Sequence, residues 1–116
     1  MTDKVLTKDA DALICVLYKA YLQRRKDGTD KFHAKLFGGS PDIHENLMPK
    51  WSFEDVDETC RELCRARYID VVFDDDIANT VILSDVGIIY MENRFVDGLS
   101  GVIGYLERIK GIIPFL

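Results

Sequence analysis

Two runs rich in β-branched residues, YIDVVF from Tyr68 and TVILS from Thr80, stand next to each other and are joined by the polar segment DDDIAN. Side chains of this kind suit a pleated strand, and a polar connection between two such runs predicts an antiparallel hairpin. The rest of the sequence reads as helix or turn. The chain is therefore held to a fold that is mainly α with one β-hairpin, in which helices must cover a single two-stranded ribbon.

The helices are read from three- and four-residue spacing and from their caps. Ala10, Leu13, Ile14, Leu17, Ala20 and Tyr21 line one face of a helix from about Lys8 to Lys26, ended by the turn at Asp27-Gly28. Cys15, Tyr18 and Leu22 form a second stripe, so this helix needs cover on two sides. TDKFHAKLFGG is a short helical or irregular piece stopped by Gly38-Gly39. Ser40 is the expected N-cap before Pro41, with PDIHENL as a short helix that ends at Pro49.

The boundary at Ser52 carries the most local information. In SFEDVDETCRELCRARY, Ser52 is an N-cap with Asp55 three residues on, and Trp51 and Val56 take the two places of a hydrophobic staple. Phe53, Val56, Cys60, Leu63 and Cys64 form the inner face, with Arg67 expected at its rim. After the hairpin, Ser84 caps a helix in LSDVGIIYMENRF. A last helix carries Leu99, Val102, Ile103, Leu106, Ile109 and Ile113 on an apolar face of about half its circumference.

With 47% hydrophobic and 30% charged residues over 116 positions, one domain spanning residues 1–116 is expected. The sequence has no apolar run of membrane-spanning length, and Asp3 and Lys4 follow Met1 without a signal-type core, which predicts a cytoplasmic protein with no membrane partner. Three cysteines are too few and odd in number for a disulfide framework, so reduced, buried thiols are expected. The net charge of −5 tells against non-specific binding to nucleic acid.

Catalytic and cofactor signatures are absent. Gly38-Gly39 and the Gly101/Gly104 pair lack the context of a phosphate loop or a dinucleotide site, so neither an enzyme nor a cofactor is expected. DDDIAN lacks the spaced ligands and glycine of a calcium loop. Zinc would require Cys60, Cys64, His33 and His44 to converge, and no metal is expected.

The order of elements, a long helix, a short helix, a brief turn through PKW and Ser52, a capped helix, a hairpin and a helix opening on LSDVG, resembles the winged helix-turn-helix superfamily. ILSDVGIIYMENRF is similar to the strand-to-helix join of its small bacterial and phage members. The resemblance spans about residues 8–95, and residues 97–113 would supply an accessory C-terminal helix. It implies that the helix from Phe53 is the recognition helix and that residues 74–79 are the wing tip, elements that meet DNA phosphates through Lys and Arg. Here both are acidic: Glu54, Asp55, Asp57 and Glu58 on the helix, and Asp70, Asp74, Asp75 and Asp76 on the hairpin.

Helix physics explains much of that charge. Carboxylates at the start of SFEDVDETCRELCRARY and arginines at its end complement the helix dipole, and Glu58 with Arg61 and Glu62 with Arg65 are spaced to pair. The sequence therefore points first to a non-enzymatic regulatory or adaptor protein that binds a protein partner through Glu54, Asp55, Asp57, Glu58, Asp74, Asp75 and Asp76. The alternative is a dimeric DNA-binding regulator, disfavoured by charge, using Arg24, Arg25, Lys26, Lys31, Lys35, Arg61 and Arg65 with Lys19, Tyr21, Phe32 and His33 nearby. The two unassigned apolar faces either cover each other or build a homodimer. The expectation is a dimer contact that draws on Cys15, Leu22, Leu99, Val102, Leu106, Ile109 and Ile113.

Overall fold

The computed structural model describes residues 5–111. It is mainly helical with one antiparallel hairpin: α1 (Lys8–Lys26), α2 (Lys31–Lys35), α3 (Ser40–Asn46), α4 (Phe53–Arg65), β1 (Ile69–Asp74), β2 (Ile77–Leu83), α5 (Asp85–Arg94) and α6 (Leu99–Ile109).

α1 is the central element. Its N-cap Thr7 accepts from the Ala10 N–H at 3.2 Å, and Glu62 of α4 in turn accepts from the Thr7 N–H (2.9 Å) and hydroxyl (2.7 Å). The start of α1 is thereby pinned to α4, and Glu62 is drawn away from the Arg65 it was expected to pair with. Both stripes of α1 are buried, Leu13, Ile14 and Leu17 on one side and Cys15 and Tyr18 on the other.

The cover for the second stripe comes from α6, which packs along α1 within the same chain. Three of the residues expected at a dimer contact are thereby covered within the chain. Cys15, Val102 and Leu106 lie in the interior of one chain, Leu22 and Ile109 pack half-buried against that core, and Leu99 is half-buried. Ile113 lies outside the described residues. The broad apolar face of α6 is used up largely by the stripe that α1 left open.

α3 begins one residue earlier than its cap signal suggested. Gly39 is the N-cap, its N–H donating to the Asp42 carboxylate at 2.9 Å, and Ser40 is the first helical residue with its hydroxyl turned into the core. Gly39 also lies so close to the backbone oxygens of Ala78 and Asn79 that a Cβ there would sit 2.6–2.8 Å from them.

α4 starts at Ser52 as read, with the Asp55 N–H donating to the Ser52 hydroxyl at 3.1 Å and Trp51 and Val56 both buried. Its end is a Schellman turn: the Tyr68 N–H reaches the Leu63 carbonyl (3.0 Å) and the Arg67 N–H the Cys64 carbonyl (2.9 Å). Arg67 takes the left-handed position at φ 68°, so it is exposed beyond the helix rather than at the rim of its inner face.

The strands run further into DDDIAN than its composition suggests. Asp74 pairs with Ile77, which leaves only Asp75-Asp76 as the loop, both at positive φ (51° and 63°) as a type I′ turn requires. Asn79 is the extra residue of a bulge, since Val72 faces Thr80 while Phe73 faces Ala78. On the far edge of β2, Leu36 bridges Ile82, and the Phe37 N–H donates to the Val81 carbonyl at 3.0 Å.

α5 follows directly. The Ser84 hydroxyl accepts from the Gly87 N–H (3.0 Å) and donates to the Arg67 carbonyl (2.7 Å). α5 and α6 are tied to α1 by Asp11, which receives the Arg94 guanidinium and the Tyr105 hydroxyl, with Arg94 Nη2 at 3.2 Å from Oδ2. No helix among the described residues is long and apolar enough to cross a membrane.

Candidate functional site

The acids of α4 divide into two groups according to helical phase. Glu54, Asp55 and Glu58 are exposed, while Asp57 is buried. Asp57 Oδ1 accepts from the Ser40 hydroxyl at 2.7 Å and from the Ala78 N–H at 2.9 Å, and Oδ2 accepts from Arg61 Nε at 3.1 Å. Burial pushes this carboxyl up, but the bonds from Ala78, Ser40 and Arg61, with the Arg61 charge, outweigh it and hold Asp57 below the ordinary carboxylate range.

Asp57 therefore joins α3, α4 and β2 and is removed from the expected docking face. The signal was present in the spacing. Asp57 lies three residues before Cys60 and seven before Cys64, which puts it on the inner stripe.

Arg61 carries α4 across to the hairpin. Its Nε binds Asp57, its Nη2 donates to the Asp76 carbonyl, and its guanidinium lies over the Phe73 ring at 4.7 Å from the centroid. Phe73 is nevertheless 43% exposed and its neighbour Val72 60%. Asp74, Asp75 and Asp76 are all exposed around this stacked pair.

Glu54 and Glu58 share a strip of α4 with Arg61, whereas Asp55 is turned about 100° further round the helix, away from the hairpin. Asp74, Asp75 and Asp76 thus follow the Arg–Phe stack at the hairpin tip, Glu54 and Glu58 are exposed on the strip of α4 that carries Arg61, and Asp55 lies outside that strip. Sequence reasoning missed Phe73 and Val72. The strand alternation puts Val71 and Phe73 on one face and leaves Val72 on the open one, but it does not show that Phe73, near the end of β1, stays half-exposed as well.

Most of the cations grouped for nucleic acid are engaged. Arg24 donates to the carbonyls of Ala34 and Leu36, stacks on Phe37 at 4.4 Å, and so closes the end of α2. Arg25 donates to the Thr29 carbonyl at 3.2 Å, and Lys35 lies 3.3 Å from Asp85. Arg65 sits 3.6 Å from Glu58, the partner it takes once Arg61 is drawn to Asp57. Lys26 and Lys31 are exposed.

No metal-binding group of three His, Cys, Asp or Glu side chains is found among the described residues. His33 is bound to Asp30 at 2.7 Å and His44 to the Met48 carbonyl at 3.2 Å. Burial, followed by the charges of nearby acids, pushes the Cys15 and Cys60 thiols up to about 12, which keeps them protonated and unreactive. No protein-family model, curated protein or solved structure matches the chain.

Proposed function

We propose that the chain is a small winged-helix regulatory or adaptor protein, non-enzymatic, that binds a basic protein partner through α4 and the tip of the hairpin. The order of elements supports the fold assignment: α3, a short connection and the capped α4 precede a hairpin that α4 packs against, and the join to α5 runs through Ser84 and Gly87.

The observation that carries the reading is the half-exposed Phe73, covered on one side by Arg61 and followed directly by the exposed Asp74, Asp75 and Asp76, with Glu54 and Glu58 exposed on the helix strip that carries Arg61. An exposed aromatic beside an arginine is the composition of a binding hot spot. A ring of carboxylates selects a cationic rim on the partner and repels phosphates. Of the seven cations grouped for DNA, Lys35, Arg61 and Arg65 face carboxylates and Arg24 and Arg25 donate to backbone carbonyls, which leaves Lys26 and Lys31.

Two measurements test this. Proteins captured from a cell extract by the wild type should be lost from a Glu54→Lys, Glu58→Lys, Asp74→Lys variant, and random duplex DNA should show no binding even at low salt. An unchanged set of captured proteins, or a salt-steep DNA affinity, would overturn the reading.

A further inference from the structure

A groove of about 360 Å³ opens where α1, the connection from α3 to α4, and α6 meet. Its lining combines apolar Val16, Leu47 and Ile103 with three ammonium groups, Lys19, Lys50 and Lys110, and one carboxylate, Glu107. Glu107 holds Lys110 at 3.2 Å, while Lys19 and Lys50 face no carboxylate among the described residues. An apolar lining with an excess of ammonium groups suits a short apolar segment that ends in carboxylates.

The chain itself presents such a segment. At the end of β1, the exposed Val72 and Phe73 run directly into Asp74, Asp75 and Asp76, and the type I′ turn projects these carboxylates beyond the strands. We propose that the groove receives the hairpin tip of a second copy of this chain. The acidic face is then covered by the protein itself until a basic partner displaces it. This rests on reading the hairpin tip as a contact surface, but not on which partner it binds.

Because one chain carries both halves of the contact, a two-fold arrangement makes it twice and closes a dimer. Arrangements that do not close would continue as chains. Each contact is small, so self-association is expected to be weak and to be relieved by salt, which screens the ammonium–carboxylate pairs.

Sedimentation velocity from low micromolar to near-millimolar concentration tests the proposal. The wild type should rise from the 13.3 kDa of one chain toward twice that mass. A groove variant, Lys19→Glu with Lys50→Glu, and a tip variant, Asp74→Lys with Asp75→Asn and Asp76→Asn, should each remain monomeric. Asn tolerates the positive φ of the turn, and thermal melts matching the wild type establish that both variants are folded. Mixed together, the two monomeric variants should form a 1:1 complex, since one keeps its groove and the other its tip.

A wild type that stays at 13.3 kDa throughout overturns the proposal, as do folded variants that fail to complement each other. Association that survives in both single variants overturns it in favour of another face. Association abolished by removing residues 112–116 alone assigns the groove to that apolar segment instead. A monomeric wild type that still captures a partner through Glu54, Glu58 and Asp74 sinks self-association and leaves the adaptor reading standing. Complementing variants with no captured partner do the reverse.

Discussion

Asp57 shows how one carboxylate can be counted toward a surface and yet belong to the core. Replacing it with Ala leaves the Ala78 N–H buried without its acceptor, leaves the Ser40 hydroxyl only the longer bond to the Ala78 carbonyl (3.3 Å), and releases Arg61 from its carboxylate. The expected loss is about 2–4 kcal/mol of unfolding free energy, read from urea melts. Asn keeps an acceptor for Ser40 and Ala78 but turns an amide toward Arg61, so Asp57→Asn should cost about half as much. Equal effects of the two substitutions would mean that the hydrogen bonds contribute nothing beyond the charge. Gly87 is the second residue that tolerates no change, because a Cβ there would lie 2.2 Å from the Tyr68 carbonyl oxygen. Neither backbone can yield by changing a rotamer. Gly87→Ala should destabilise by about 1–3 kcal/mol, and a melting temperature equal to the wild type would refute the contact. The glycine of LSDVG was visible in the sequence, but its reason was not, because that reason is a carbonyl nineteen residues earlier.

At the scale of elements, legibility followed the range of the forces involved. The limits of α1 and α4 were readable because Thr7 and Ser52 cap them through bonds to residues three positions away. The start of α3 was misread because the Ser40-Pro41 pair gives the local signal of a cap, while the hydroxyl is claimed by Asp57 seventeen residues on. The hairpin was recognised but its turn was drawn too long. Ile77 and Ala78 sit among polar residues, and only their pairing with Asp74 and Phe73 across the hairpin places them in the strand. That turn carries a prediction of its own. Type I′ turns favour Asn-Gly over two aspartates, so Asp75→Asn with Asp76→Gly should raise stability by about 0.5–1 kcal/mol. If the acidic tip is the contact surface, the same variant should lose affinity for its partner. Stability gained together with full binding would show that the two aspartates serve neither the turn nor the partner.

Across the whole molecule two carboxylates, the buried Asp57 and the half-buried Asp11, do the joining that periodicity cannot reveal. Asp57 gathers α3, α4 and the hairpin, and Asp11 gathers α1, α5 and α6 through Arg94 and Tyr105. Read locally, Asp11 is only an acid in the first turn of a helix, suited to the dipole, because its partners lie 83 and 94 residues away. Burial pushes both carboxyls up, yet the hydrogen bonds and the arginine charges outweigh it, so both lie below their ordinary value of 3.8. In acid the unfolded chain therefore takes up protons at these positions before the folded chain does. Stability must then rise with pH through that window and level off above it. The urea midpoint should be flat from neutrality to about pH 5 and fall steeply below about pH 4. Asp11→Asn and Asp57→Asn should each start from a lower plateau and lose less on acidification, and the double variant should lose least. An acid slope that is the same in all four proteins would assign the loss to exposed carboxylates and remove these two from the account of how the helices are held together.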